Sequence, residues 1–472
     1  MSDTTLDLSR GPGGGRGQSP RPVLVLAWSA HDPSRVGELV DPGAAGGSTT
    51  FGRAGADTEA GGLLQVRPGT VRARPPLADP WLSRRQLELS TRGHALFVRN
   101  VGRCPMRIGL RQVSEGLVEP GDVVVLEQRA VFLCVVRMPE LPALAEAPRF
   151  AFGEADAGGM VGESPGAWMV RHQLAQIARR EEHHVLVFGE SGTGKELAAR
   201  SVHAASSRSR RPLVARNAAT FPESLLDAEL FGHARNYPNP GMPERPGLFG
   251  EADGGVLFLD ELGELPDSLQ AHLLRVLDAG EYQRLGEPRV RRTDVRVVGA
   301  TNRAPHELRH DLLARFALQV SLPPLRERLE DVPLILRHLL RGIAAEHPDL
   351  GERFFASGEP RLDTALVAAL LRHRHPLNVR GLHRVAWQAL LGSPADTLVL
   401  TDEVRETLSA DADQPDDVTD PTELTADEIR RALAAHDGKQ AAAWRALGLR
   451  NRYVLRRLIN KFEEQGEVFD LG

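Results

Sequence analysis

Residues 184–200 read HVLVFGESGTGKELAAR. The apolar run Val185 to Phe188 leads into Gly189-Glu190-Ser191-Gly192-Thr193-Gly194-Lys195, and a helix-forming stretch, Glu196 to Arg200, follows. A G-x-x-x-x-G-K pattern between a strand and a helix is that of a phosphate-binding loop. Its glycines let backbone N–H groups curl around a phosphate, and the start of the helix adds partial positive charge. Lys195 is placed to reach the β- and γ-phosphates of a nucleotide. The chain has three lysines, at 195, 439 and 461, and otherwise uses arginine, so a lysine here is read as a requirement. The candidate nucleotide residues are Gly189, Glu190, Ser191, Gly192, Thr193, Gly194, Lys195 and Glu196. The last stands where a Ser or Thr is usual.

A second acidic site follows. GGVLFLDELGEL (254–265) is an apolar strand ending in Asp260-Glu261. Beside a phosphate loop, Asp260 is expected in the Mg²⁺ shell and Glu261 is expected to polarise an attacking water. The plainer reading is a helix N-terminus carrying two acids for its dipole. DVRVVGATN (294–302) ends in Asn302, placed to sense the γ-phosphate or the water. PLVARN (212–217) ends in Asn217, placed to hold Glu261 back until nucleotide is bound. Alone, each Asn is equally a strand-end cap.

Working outward, 472 residues predict about three domains. At 41% hydrophobic and 26% charged the chain is globular in composition. Its apolar runs are far shorter than the about 20 residues a bilayer requires. Residues 1–21 have no apolar core and are expected to be a disordered tail rather than a signal peptide. Two cysteines, Cys104 and Cys134, exclude a disulfide framework or zinc cluster, and a cytoplasmic location is expected. Residues 22–137 alternate short β-type runs with turns and predict an all-β sandwich. Residues 138–159 form a Pro/Ala/Gly linker. Strands alternate with helices over 160–390, the pattern of a mostly parallel sheet. Residues 391–421 are a second linker, acidic from 409, and 422–472 are helical and basic. The net charge of −5 confines any nucleic-acid contact to a local patch.

VGESP (161–165), GESGTGKE, FPESLLDAELFGH, GGVLFLDEL, LLRVLDAGEYQRLG, ATNR and LPPLRER together resemble the AAA+ domain of the sigma-54-dependent transcription activators, the bacterial enhancer-binding proteins. Glu196 agrees with that family. The resemblance covers about 230 residues and implies ATP and Mg²⁺ as cofactors, hydrolysis in a homo-oligomeric ring, usually a hexamer, and remodelling of sigma-54 RNA polymerase. It also implies roles for Arg309 and Arg315, in LRHDLLARF, as arginines reaching a neighbour's ATP, and for Arg380, in HPLNVRGL, as the lid sensor. The family normally has a Trp and Gly-Asn-Val-Arg-Glu-Leu in the lid. Here the Trp is His375, the Gly is Leu377 and the Glu is Gly381.

In the family the loop after ELFGH carries GAFTGA, which touches sigma-54. This chain has Asn236-Tyr237-Pro238-Asn239-Pro240-Gly241 instead, followed by Pro243 and Pro246. Proline fixes φ and restricts the residue before it, where glycine hinges are usual. Two readings stay open: an ATP-dependent activator of the sigma-54 type with an unusual contact loop, or an ATP-binding, DNA-bound regulator or scaffold that never touches sigma-54.

At the C-terminus, residues 422–462 are read as three helices, with Ile429, Leu433 and Ala443 on apolar faces. The last helix has Arg450, Asn451, Arg452, Arg456, Arg457 and Lys461 on a basic face and Leu455, Leu458 and Phe462 on an apolar one. That is a helix-turn-helix with a recognition helix for the major groove. It resembles the Fis-type DNA-binding domain, which implies an enhancer-like DNA site. In the N-terminal sandwich, FGR (51–53) and LSRRQLEL (82–89) resemble the phosphothreonine loops of a forkhead-associated (FHA) domain. Arg53, Ser83 and Arg84 are the implied phosphate ligands and a phosphothreonine protein the implied partner, in a two-component-like signalling role. Gln86 replaces the usual His of that pattern, and GRCPMRIG (102–109) replaces its Asn-Gly-Thr. The expected fold class is multidomain: an all-β FHA-like sandwich, an α/β AAA+ P-loop domain with a helical lid, and an all-α helix-turn-helix.

Overall fold

The computed structural model describes residues 19–54, 62–145, 148–220, 223–412 and 424–435, together with 443, 447, 455, 458, 459 and 462. The chain divides into two compact units, residues 1–401 and 402–472. No helix among the described residues is long and apolar enough to cross a membrane.

The first unit opens with β1 (Arg21–Ser29), β2 (Leu39–Val40), β3 (Ser48–Phe51), β4 (Leu63–Arg67), β5 (Thr70–Arg74) and β6 (Leu87–Arg92). It continues with β7 (Ala95–Asn100), β8 (Met106–Ile108), β9 (Arg111–Gln112), β10 (Glu115–Val118), β11 (Val123–Leu126) and β12 (Ala130–Arg137). They form an eight-stranded sheet, β5-β4-β2-β1-β12-β11-β8-β9, and a four-stranded sheet, β10-β7-β6-β3. Leu24, Leu26 and Phe132 of the larger sheet meet Phe51, Leu89 and Val98 of the smaller in one core.

A half-solvated antiparallel strand should alternate apolar and polar residues, yet β1 is apolar almost throughout. The reason is tertiary. Its other face, Val23 and Val25, is also buried, packed with Leu39, Val66 and Leu141 against Trp168 of α1 (Pro165–Ala178). Phe150 stacks on Trp168 at 5.4 Å. Beneath this seam lies the Glu163 carboxylate, 2% exposed. It accepts hydrogen bonds from Arg67 Nε (2.9 Å), Trp168 Nε1 (3.1 Å) and Gly153 N (2.8 Å), while the Glu163 carbonyl accepts from Arg137 Nη2 (2.6 Å). The stretch expected to be a linker is therefore part of the packing. Leu141 and Phe150 lie in the seam, because its few apolar side chains have partners on both sides.

The second layer system is α/β. β13 (Val185–Phe188), β14 (Leu213–Asn217), β15 (Val256–Asp260), β18 (Arg296–Thr301) and β19 (Leu318–Ser321) form a parallel sheet in the order β14-β15-β18-β13-β19. The hairpin β16 (Glu281–Gln283) and β17 (Val290–Arg292) lies between β15 and β18 in sequence. Helices α1 and α2 (Lys195–Ala204) cover one face through Leu174 and Val202. Helices α3 (Glu223–Phe231), α4 (Gly247–Glu251) and α5 (Asp267–Ala279) cover the other through Leu230, Phe249 and Leu273. Burial on both faces explains the uninterrupted apolar runs VLVF and VLFLD. Arg296, 1% exposed within β18, gives its guanidinium to the carbonyls of Ile177, Ala178, Arg180 and His183, so a buried arginine closes the C-terminus of α1.

After α6 (His310–Leu313) and β19 the unit ends in a helical lid: α7 (Val332–Glu346), α8 (Pro348–Phe354), α9 (Thr364–Leu371) and α10 (Asn378–Gly392). Helix α9 packs against β1, β11 and β12, and Arg372 donates to the Gly109 carbonyl at 3.2 Å. The β-domain thus touches both the α/β layers and the lid. The turn into α10 holds His375, at φ +54 and 3% exposed, with Nε2 2.8 Å from the Leu370 carbonyl and its ring 4.7 Å from that of His373.

The second unit contains α11 (Asp402–Ala412) and α12 (Ala426–Ala435). Thr425 and Glu428 form a reciprocal cap at the start of α12. Ile429, Leu433, Ala443, Leu455, Leu458 and Ile459 make its core.

Trp168→Ala should lower stability by about 3–5 kcal/mol, as large buried aromatics do; a thermal unfolding midpoint equal to the parent's would contradict the seam. Burial, more than the neighbouring His373 charge, drives the His375 pKa from 6.5 down to about 4. The unfolded chain therefore takes up this proton first. The stability His375 contributes is complete above pH 6.5 and is lost as pH falls towards 4. His375→Phe should flatten the acid limb of a stability–pH profile, and an unchanged slope between pH 6.5 and 4 would refute this.

Candidate nucleotide site

The P-loop leaves the end of β13, the second-last strand of the sheet, and turns directly into α2. Gly192 and Gly194 have φ of +81° and +100°, a region open to glycine. A Cβ on Gly189 would lie 2.8 Å from Thr193 Oγ1, so the loop is wound tightly on itself. Lys195 is 6% exposed, and its ammonium donates to the Gly189 and Glu190 carbonyls at 2.9 and 3.3 Å. Thr193 Oγ1 closes the loop on the Glu190 carbonyl at 2.8 Å.

Parallel pairing brings the other candidates to the same edge. Asn217 and Asp260 are register partners at the ends of β14 and β15. Glu261 follows at φ +55, ψ +42, a left-handed conformation costly for a residue with a side chain, and its N–H bonds to Asp260 Oδ1 at 3.0 Å. Asn302 follows β18, and its Oδ1 is buried with no hydrogen-bond partner among the described residues. Gly189, Asn217, Asp260, Glu261 and Asn302 thus gather at the carboxyl ends of the strands, where open α/β sheets bind ligands.

The lid closes on this edge. Arg380 Nη1 donates to Ser191 Oγ at 2.8 Å, and Val379 N donates to the Gly192 carbonyl at 3.1 Å. A Cβ on Gly192 would sit 2.5 Å from the Leu377 carbonyl oxygen. Three residues holding the loop were missed by sequence reasoning. Asn378 Nδ2 donates to Glu190 Oε2 and the Ser191 carbonyl. Arg326 forks onto both Glu190 oxygens. Arg328 reaches the Thr193 carbonyl. They lie within LPPLRER and HPLNVRGL, but nothing in their spacing links them to the P-loop.

Arg309 and Arg315 occupy a separate element, α6 and its flanks. Arg309 pairs with Asp311 at 2.6 Å and Arg315 with Asp278. Hydrogen bonding to Arg309 holds the Asp311 carboxyl down to about 2. Glu196 pairs with Arg200 at 2.7 Å on the outer side of α2.

The residues fit a nucleotide with its magnesium. The glycine cradle and buried lysine suit phosphates, and the orphaned Asn302 oxygen calls for a polar partner. Among the described residues no group of three or more His, Cys, Asp or Glu forms a dedicated metal cage. Magnesium beside phosphates needs only one or two carboxylates plus water, and Asp260 supplies that.

The proline loop is folded rather than splayed. His233 bridges Arg245 and Leu285, and Ala234 N donates to the Leu285 carbonyl at 2.9 Å. Asn236 N bonds the Met242 carbonyl and Asn236 Oδ1 accepts from Gly241 N, both at 2.9 Å. The Tyr237 ring lies on Gly286, where a Cβ would be 2.5 Å away. The loop is pinned to the β16–β17 hairpin.

In the β-domain, Arg53 N bonds the Ser83 carbonyl, and Ser83 Oγ accepts from Arg103 N, both at 3.0 Å. Arg53 and Ser83 are therefore brought together, with Arg84 next to Ser83 along the chain and Arg103 an addition. Arg53 Nε is buried without a partner among the described residues. Gln86 is fully buried. It accepts from Ser83 N at 3.1 Å and donates to Asn100 Oδ1 and the Cys104 carbonyl at 2.7 and 3.0 Å, tying the two loops together. Arg450, Asn451, Arg452, Arg456, Arg457 and Lys461 lie outside the described residues.

Comparison with known proteins matches residues 160–320 to the family described as the Sigma-54 interaction domain. Nitric oxide reductase transcription regulator NorR1 of Cupriavidus necator is 40% identical over 329 residues, 63% of this chain and 62% of the relative. Transcriptional regulatory protein ZraR of Klebsiella oxytoca is 36% identical, covering 69% of this chain and 72% of the relative. Among solved structures, NtrX from Brucella abortus in complex with ATP is 27% identical, covering 64% and 68% of the two chains at a TM-score of 0.46. This chain spans less than two thirds of NorR1 but more than two thirds of ZraR. On the P-loop geometry and the ZraR match together, the chain belongs to the sigma-54-dependent transcriptional regulators, and its α/β domain with helical lid is their AAA+ domain.

Proposed function

We propose that this protein is an ATP-hydrolysing, DNA-bound regulator of transcription that works as a ring of copies and takes a phosphothreonine protein as its input. The observation that carries the reading is the convergence of Lys195, Asp260, a left-handed Glu261 and an orphaned Asn302 on one sheet edge, under the Arg380 lid contact. Lys195 would exchange its loop carbonyls for β- and γ-phosphate oxygens. Glu261 would accept a proton from the attacking water, with Asn217 beside Asp260 setting when the acid engages. Arg309 and Arg315, released from Asp311 and Asp278, would stabilise transition-state charge in a neighbouring copy. Bound through Asp260, Mg²⁺ would neutralise phosphate charge. The basic face expected over 450–461 would supply the DNA contact.

Lys195→Ala should abolish ATP binding. Glu261→Gln should retain it while lowering kcat about 10²–10⁴-fold, the range for a positioned base. Hydrolysis at the parental rate by the Lys195 variant would refute the motor. In the β-domain, the unpartnered Arg53 Nε and the Ser83 hydroxyl support phosphate recognition, and Gln86 takes up loop bracing. Arg53→Ala in the full chain should remove binding of phosphothreonine peptides, and a broad peptide library without a hit on the parent would refute the input role.

A second reading, regulation without contact to sigma-54, is favoured by the folded proline loop. On that reading the parent fails to form open complexes on a sigma-54 promoter. Grafting GAFTGA over residues 236–241 leaves the ATPase within a few-fold and creates sigma-54 binding. Open-complex formation by the unmodified chain would exclude this reading and retain the activator.

A further inference from the structure

The P-loop pattern leaves its second residue unspecified, yet in this fold that residue is the most heavily held in the loop. The Glu190 carboxylate takes both Arg326 nitrogens, at 2.7 and 2.9 Å, and Asn378 Nδ2 at 3.0 Å. Its carbonyl takes Thr193 Oγ1 and the Lys195 ammonium. One peptide unit therefore joins the phosphate-binding lysine to a side chain gripped from the lid side.

Asn378 is the other end of that grip. It is the first residue of α10, 0% exposed, at φ +50. Its amide is shared among three segments: Nδ2 donates to Glu190 Oε2 and to the Ser191 carbonyl at 3.1 Å, and Oδ1 accepts from Leu325 N at 2.7 Å. The residue after it, Val379, donates to the Gly192 carbonyl, and Arg380 reaches Ser191 Oγ. His375, three residues before, is also left-handed, and its carbonyl accepts the Asn378 N–H at 2.8 Å. Left-handed residues with side chains persist only where surroundings over-determine them, and here the amide bonds do so.

We infer that Asn378 and Glu190 form a positioning pair that couples the seating of the phosphate loop to the first turn of the lid helix. Neither need touch the reacting atoms. When Lys195 leaves the Glu190 carbonyl for phosphate, the Glu190 peptide loses one of its holds, and the carboxylate links that change to Asn378 and so to α10. Arg326 neutralises the carboxylate, so that its bond to a neutral amide is not lost to repulsion from the nucleotide's own charge. The inference rests on the proposed nucleotide site.

The test is a double-mutant cycle on the full-length chain, reading ATP affinity, KM and kcat, with Lys195→Ala as control. Asn378→Gly removes the amide while relieving the left-handed backbone, so that loss of folding is not the cause of its effect. Asn378→Gly and Glu190→Gln should each weaken ATP binding about tenfold, the worth of one charge-assisted hydrogen bond. Combined, they should weaken it no further. Additive losses, or parental affinity in the single variants, overturn the pairing while leaving the nucleotide site standing. A parent that binds no ATP removes the nucleotide site and the inference together.

Discussion

The Glu163 carboxylate is the interaction on which the first unit depends. It stands at the entry to the α/β layers, is almost wholly buried, and holds Arg67 from β4, Trp168 from α1 and Gly153 from the stretch between. A buried carboxylate is costly unless paired and hydrogen-bonded, and here each oxygen has donors. Its own N–H, and that of Ser164, bond Asp331 Oδ1 at 2.8 and 2.9 Å, immediately before α7. Ser164 Oγ in turn caps α1 by accepting from Ala167 N at 3.1 Å. One short segment, Glu163-Ser164, thereby ties the β-domain, the first α/β helix and the lid into one compact unit.

That unity denies the β-domain the freedom of a tethered module. A sandwich on a flexible tether acts by recruitment, whereas this one is packed on α1 at one end and α9 at the other. Those elements belong to the two parts that face each other across the P-loop. The sandwich thus contacts both walls of the nucleotide cleft through buried apolar side chains.

The nucleotide edge and the proline loop are both held in set conformations by hydrogen bonds and close contacts. At the nucleotide edge Glu261, His375 and Asn378 are left-handed, and in the proline loop Asn236 is too. At the proline loop, backbone bonds of Gly232 and Ala234 with Leu285 and the Tyr237–Gly286 contact hold one conformation. A segment so held presents a fixed surface.

Much of this was legible in the chain. The P-loop and the Asp260-Glu261 strand end are local patterns, because phosphate chemistry demands set residues at set spacings, whereas Arg380 came only from the family resemblance. Short strands with turns marked the sandwich, and the apolar spacing of Ile429, Leu433, Leu455 and Leu458 marked a packed helical end whose core contains them. What the sequence could not show were relations between distant segments. The two-sided burial of β1, the packing of Leu141 and Phe150 and the Glu163 hub all arise from surfaces that meet only in the folded chain. The same holds for Gln86 bracing the Ser83 loop and for Asn378 on Glu190. Hydrogen bonds across 188 positions leave no periodicity, so only the tertiary structure decides them.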